Sequence, residues 1–163
     1  MRRRNKLRLR KFGPLKQPDS NTCFYACLAM IVGESVSYVK NWFKSARPLY
    51  PEDGVIFLAH HGIYLTHYSG FDDKSEDWMT LKENSTIEYY IPIAERPALL
   101  TVRSERFPGK LHVVLWDGQR VWDPNPQVLG PRRIDSYKIV QFWPLMLTEQ
   151  RWKAMQAHWR KEI

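Results

Sequence analysis

The chain predicts an α+β fold, helices first and an antiparallel sheet after, on three observations. An almost wholly apolar run, Cys23 to Val32, is bracketed by the capping cluster Ser20-Asn21-Thr22 and by Gly33. From Pro97 onward the apolar residues gather into short runs, "PALLTVR", "LHVVLW" and "YKIVQFW", with β-branched members. Between two such runs lies Asp117-Gly118, a strong hairpin signal. At 163 residues, 44% of them hydrophobic, the chain is long enough to bury one core as a single domain.

Each element follows in order. Residues 1–14 read as a basic, flexible tail, and 15–163 as the folded domain. Two prolines and a cluster of turn-formers in "FGPLKQPDSNT" predict a loop. The helix over Cys23–Val32 is apolar on nearly every face and so belongs in the core. A second helix begins near Ser37 with Val39, Trp42 and Phe43 on one side, and Pro48 ends that region. "PEDGVIFLAHHG" predicts a short third helix closed by Gly62, and "IYLTHYS" alternates as a strand does. Gly70 to Ser85 is polar and reads as a long surface connection. Strands follow at 97–103, at the two arms flanking Asp117-Gly118, and at 137–143. Thr148 caps a final helix near 148–161, with Trp152, Met155 and Trp159 at helical spacing.

The net charge of +8 is concentrated in the tail. Residues 1–11 hold seven of the 25 basic residues and no acid, which leaves 18 basic against 17 acidic residues in the rest. Such a tail suits contact with nucleic acid or an acidic surface. It is followed by "KFGPLKQPDS" where a signal peptide needs an apolar stretch, and no apolar run approaches the ~20 residues of a membrane span. The expectation is a soluble, cytoplasmic protein with no transmembrane segment. Cys23 and Cys27 stand one helical turn apart with side chains nearly parallel, a poor disulfide geometry, so they are expected as free thiols. With His60, His61 and His67 they match no common zinc spacing, and neither a metal nor a cofactor is expected.

The chemistry is expected at Cys23. A helix N-terminus favours a thiolate through its unpaired N–H groups and dipole, and Cys23 directly follows the capping cluster. Cys27, a turn further in, reads as core filler. His112 begins the run "HVVLW", and the hairpin at Asp117-Gly118 brings Asp123 back beside it as the orienter of a base. Asn125 is a weaker orienter. Gln17, six residues before Cys23, suits an oxyanion donor alongside the Cys23 N–H. The aromatics Phe24, Trp116 and Trp122 are candidates for the core or for the cleft, the core being favoured.

These residues resemble a papain-like cysteine peptidase, most closely the bacteriocin-processing peptidase domains that cleave double-glycine leaders. Gln17, then Cys23, then "Ala26-Cys27-Leu28-Ala29-Met30-Ile31" stand in the register of that family, as do "His112-Val113-Val114-Leu115" and "Asp123-Pro124". "DGVIFLAHHGIYLTHY" is similar to the family's segment between its lobes, and "RPALLTV" to its first buried strand. The likeness spans roughly residues 15–127. It implies a papain-like fold, with the nucleophile on a central helix of an N-terminal helical lobe packed on a C-terminal antiparallel sheet. It further implies a peptidase in which Cys23, His112, Asp123 and Gln17 cleave a peptide or isopeptide bond of a peptide or protein substrate, although the domain is expected here to be freestanding, unlike the family's. The chain departs from the family at Thr22 and Phe24, where Asp and Gly are usual, and in a shorter His-to-Asp interval. Deamidation and transpeptidation share the same acyl-enzyme. The alternative is an inactive peptidase-like protein that binds peptides while its basic tail docks on nucleic acid or an acidic partner.

Overall fold

The computed structural model describes residues 15–44, 49, 51–65 and 97–160. The tail, Pro48, the remainder of the run after Leu65 with His67, and the 70–85 connection lie outside the described residues. The observed order is α1 (Cys23–Val32), α2 (Val36–Phe43), α3 (Pro51–His60), β1 (Tyr64–Leu65), β2 (Ala98–Arg103), β3 (Leu111–Trp116), β4 (Val121–Trp122), a 3₁₀ turn (Ile134–Ser136), β5 (Ile139–Met146) and α4 (Glu149–Arg160). N-terminal helices pack on a five-stranded sheet of order β1-β5-β2-β3-β4 in which every pairing is antiparallel. The α+β expectation holds.

α1 ends where its sequence says it should, at Gly33, whose φ of 79° is left-handed and whose N–H reaches the Ala29 carbonyl at 2.8 Å. Residues 24–31 are all buried, each large side chain such as Leu28 contributing about 1.5–3 kcal/mol. α2 starts one residue earlier than expected because Ser35 caps it, accepting from the Tyr38 N–H at 3.1 Å. It bends away from α1 by 108°, and no single helix among the described residues is long and apolar enough to cross a membrane. α3 closes at Gly62 with φ of 71°. The Thr148 hydroxyl caps α4, accepting from the Arg151 N–H at 3.3 Å.

The sheet is covered on both faces, and side-chain alternation sorts its residues. Leu99, Val113, Leu115, Trp122, Trp143 and Leu145 face the helices, while Ala98, Leu100, Val102, Val114, Trp116 and Phe142 fill a second core. A register shift between Thr101 and Val102 puts Ile139 on the same face as Phe142. Phe24, Trp116 and Trp122 all lie in these cores. β5 starts later than the run at 137 suggested and continues past Trp143 through Pro144. Leu145 donates to the Pro97 carbonyl at 2.9 Å, so the neighbouring Pro144 turns its nitrogen away from β2 and costs that ladder no bond.

Two contacts hold α1 against its neighbours. The buried Cys27 thiol donates to the Val113 carbonyl at 3.4 Å, pinning the helix to β3. Across from it, Gly54 of α3 lets the Phe24 ring approach so closely that a Cβ there would fall 2.7 Å from its Cζ. Phe24 is completely buried and cannot swing clear. Gly54→Ala is therefore expected to lower the urea midpoint of unfolding by an overpacking cost of about 1–3 kcal/mol, with the slope unchanged.

Candidate active site

The site forms where the start of α1 meets the start of β3. Cys23 is the first residue of α1 and half-buried. It lies one turn, about 6 Å, before Cys27 on the stripe that faces β3. The turn leading into it is held by its own side chains. The Thr22 hydroxyl donates to the Asp19 carbonyl at 3.0 Å and accepts from the Asp19 N–H at 3.3 Å. Thr22 therefore closes the preceding turn, and its side chain makes no cap bond to the helix, contrary to the capping role read from its position. Asp19 is anchored by Lys40 at 3.1 Å. Burial pushes the Asp19 carboxyl up, but the Asn21 N–H and Lys40 outweigh it and hold the group below its usual range.

His112 and Asp123 meet across the β3–β4 hairpin, His112 Nε2 lying 2.7 Å from Asp123 Oδ1. The hairpin differs in detail from a two-residue Asp-Gly turn. Trp116 pairs with Val121, so the loop spans 117–120, and β4 is only two residues long. Asp117 builds that loop, accepting the Gln119 and Arg120 N–H groups on Oδ1 and the Trp122 indole on Oδ2. With β4 ending at Trp122, Asp123 leaves the ladder and turns its carboxylate to the imidazole.

The electrostatics of the pair follow from this packing. Burial of His112 favours the neutral ring, but hydrogen bonds to Asp123 and to Cys23 outweigh it and raise the imidazole to about 9. The imidazole thus meets both the Asp123 carboxylate and the Cys23 side chain. Burial likewise opposes ionisation of Asp123, and the hydrogen bond from His112 overrides it and holds the carboxyl below its usual range. Burial drives the Cys27 thiol well up, so it remains neutral. The two thiols are thus separated by environment.

Gln17 is nine-tenths buried, and its backbone N–H is fixed to the Pro124 carbonyl at 2.8 Å. Its side-chain Nε2 donates to the Asp19 carbonyl at 2.7 Å, while Oε1 is buried with no hydrogen-bond partner. One amide hydrogen is therefore spent on the turn, and one remains. Gln17, His112, Asp123 and Asn125 share the wall of a single cleft. Asn125 acts through its backbone, whose N–H donates to Asp123 Oδ1 at 2.8 Å, while its side chain accepts from Gln127.

Two contributors escaped the sequence reading. The buried Tyr137 hydroxyl donates to Asp123 Oδ2 at 2.9 Å, and burial with the neighbouring carboxylate keeps the phenol protonated. Its place at the start of an apolar run disguised it as a strand residue. Lys16 Nζ donates to the carbonyls of Asp123, Asn125 and Val128 at 3.0, 3.1 and 2.6 Å, tying the loop after β4 to the segment that carries Gln17. Nothing in its spacing marks it. Among the described residues no cluster of His, Cys, Asp and Glu could hold a metal ion. Compared with known protein families, curated proteins and solved structures, the chain matches none.

Two outcomes follow from this geometry. The folded imidazole keeps its proton to about pH 9, whereas an unfolded one releases it near 6.5. The pair therefore stabilises the fold fully between the carboxylate range, where Asp123 is ionised, and pH 6.5, and loses that contribution, about 3 kcal/mol, as pH rises through 9. Urea unfolding across that range should show the decline in the parent and a flatter profile in His112→Ala. Tyr137→Phe leaves one oxygen of a buried carboxylate without its donor, and should cost about 1–3 kcal/mol in the same measurement at neutral pH.

Proposed function

We propose that the chain is a cysteine peptidase of the papain-like type, a reading carried chiefly by the buried His112–Asp123 pair set beside a thiol at a helix N-terminus. The layout of helices on an antiparallel sheet fits it, and so does the resemblance in the residues around Gln17, Cys23, His112 and Asp123. In this reading Cys23 attacks a peptide or isopeptide carbonyl as the thiolate paired with the His112 imidazolium. The oxyanion is met by the Cys23 N–H and the free hydrogen of the Gln17 amide. The His112 imidazolium then protonates the leaving amine, and a thioester remains on Cys23. Water, deprotonated by His112, displaces the thiol and releases the acid. Asp123 orients the ring throughout, and Tyr137 and Lys16 hold Asp123. No metal or cofactor enters any step. The two free thiols support placing the protein in the reducing cytoplasm.

Iodoacetamide labelling at pH 6, read at each cysteine by fragment mass spectrometry, tests the nucleophile. Cys23 should label faster than a cysteine in an unstructured peptide, and His112→Ala should slow it about tenfold or more by removing the cationic partner. Cleavage of a peptide pool, read as new N-termini, should disappear in Cys23→Ala and fall about 10²–10⁴-fold in His112→Ala. A slow Cys23 that ignores the loss of His112 would contradict the reading. Rapid labelling without cleavage would turn it toward an amide-group or transfer reaction.

A further inference from the structure

We propose that the cleft beside His112 takes a substrate segment bearing an acidic side chain, and that Arg106 and Lys110 in the β2–β3 loop read it. The inference rests on the peptidase reading and names the substrate class of that same site. The cleft has two unlike walls. One is the catalytic side, with Gln17, His112 and Asp123, and the other is the β2–β3 loop, with Arg103, Arg106 and Lys110. The acid of that second wall is Glu105, which Arg132 meets at 3.4 Å. Asp123 is already committed to His112 and Tyr137. Arg106 and Lys110 have no carboxylate partner among the described residues, and the loop wall carries a surplus of positive charge.

The loop is built to hold those cations in place. Ser104 donates its N–H to the Lys110 carbonyl at 2.9 Å, Lys110 returns its own to the Phe107 carbonyl at 3.0 Å, and Phe107 donates to the Ser104 hydroxyl at 3.1 Å. Gly109, with φ of 77°, makes the left-handed turn that brings the ends together. Phe107 then serves as a platform. The Arg106 guanidinium lies 5.0 Å and the Lys110 ammonium 5.7 Å from its ring centroid, so both cations are gathered on one exposed aromatic. A carboxylate entering the cleft meets two unneutralised cations there, whereas a lysine or arginine side chain meets like charge. The same arrangement raises the encounter rate of an acidic peptide in a salt-dependent way.

The test protects Cys23 from iodoacetamide with short peptides of one backbone design carrying aspartate, alanine or lysine, in the parent and in an Arg106→Glu/Lys110→Glu variant. The parent alone, without peptide, reports whether Cys23 is a reactive thiol, so failure of the peptidase reading shows separately from failure of the specificity. The aspartate peptide should protect best at low salt, with protection fading as salt rises. The double variant should weaken that protection about tenfold, on the scale of two exposed ion pairs, and should favour the lysine peptide. The milder Arg106→Gln/Lys110→Gln variant should lose the aspartate preference without gaining one for lysine. A reactive Cys23 protected equally by all three peptides would overturn the inference. So would protection by aspartate that persists in both variants, because it would assign the binding to the basic tail. Protection by single-stranded DNA but not by the aspartate peptide would overturn it in favour of a nucleic-acid ligand.

Discussion

The carboxylate of Asp123 is the constraint on which the site depends. A buried carboxylate is tolerable only when its oxygens are satisfied, and here four groups converge on the residue. Oδ1 takes the imidazole of His112 and the Asn125 N–H, Oδ2 takes the phenol of Tyr137, and the backbone carbonyl takes the ammonium of Lys16. These donors come from β3, from the loop after β4, from the approach to β5 and from the segment before α1. Satisfying one anion therefore fixes the relative position of elements that are distant in sequence. It also raises the affinity of His112 for its proton beyond what burial alone would permit.

The second requirement is that α1 present its first residue to that imidazole, and the core enforces it. Cys27 is anchored on Val113, next to His112 in the chain, and the rest of α1 is buried between α2, α3 and the sheet. Rotation or sliding of the helix would break this contact and expose apolar surface, so Cys23 has little freedom in where it points. Two thiols of one helix thereby receive different chemistry. The inner one is neutral packing, and the outer one sits at a polar, partly open helix end beside a protonated ring.

Most of the architecture was legible because it depends on local pattern. Periodicity and punctuation located α1, α3, the hairpin and α4, and the Asp117-Gly118 signal correctly brought His112 to Asp123. The details that escaped depend on longer-range satisfaction. In sequence Asp117 reads as a turn former, but its carboxylate also collects an indole from Trp122 and lengthens the loop. Tyr137 reads in sequence as a strand residue because a tyrosine before apolar residues looks like one, and only the buried anion explains its hydroxyl. Lys16 reads as any lysine in a loop, since its three carbonyl partners lie more than a hundred residues away. Thr22 stands at the capping position but bonds backward into the turn, a choice between two local geometries that spacing does not decide.

The measurement that bears most directly on the account is the titration of the His112 imidazole by NMR, assigned by comparison with His112→Gln, in the parent and in Asp123→Asn. A midpoint near 9 is expected in the parent, with a clear fall when the carboxylate is replaced by a neutral amide of the same shape. A parent midpoint near the ordinary 6.5, unmoved by the substitution, would contradict it, because the carboxylate would then not be holding a proton on the ring beside Cys23.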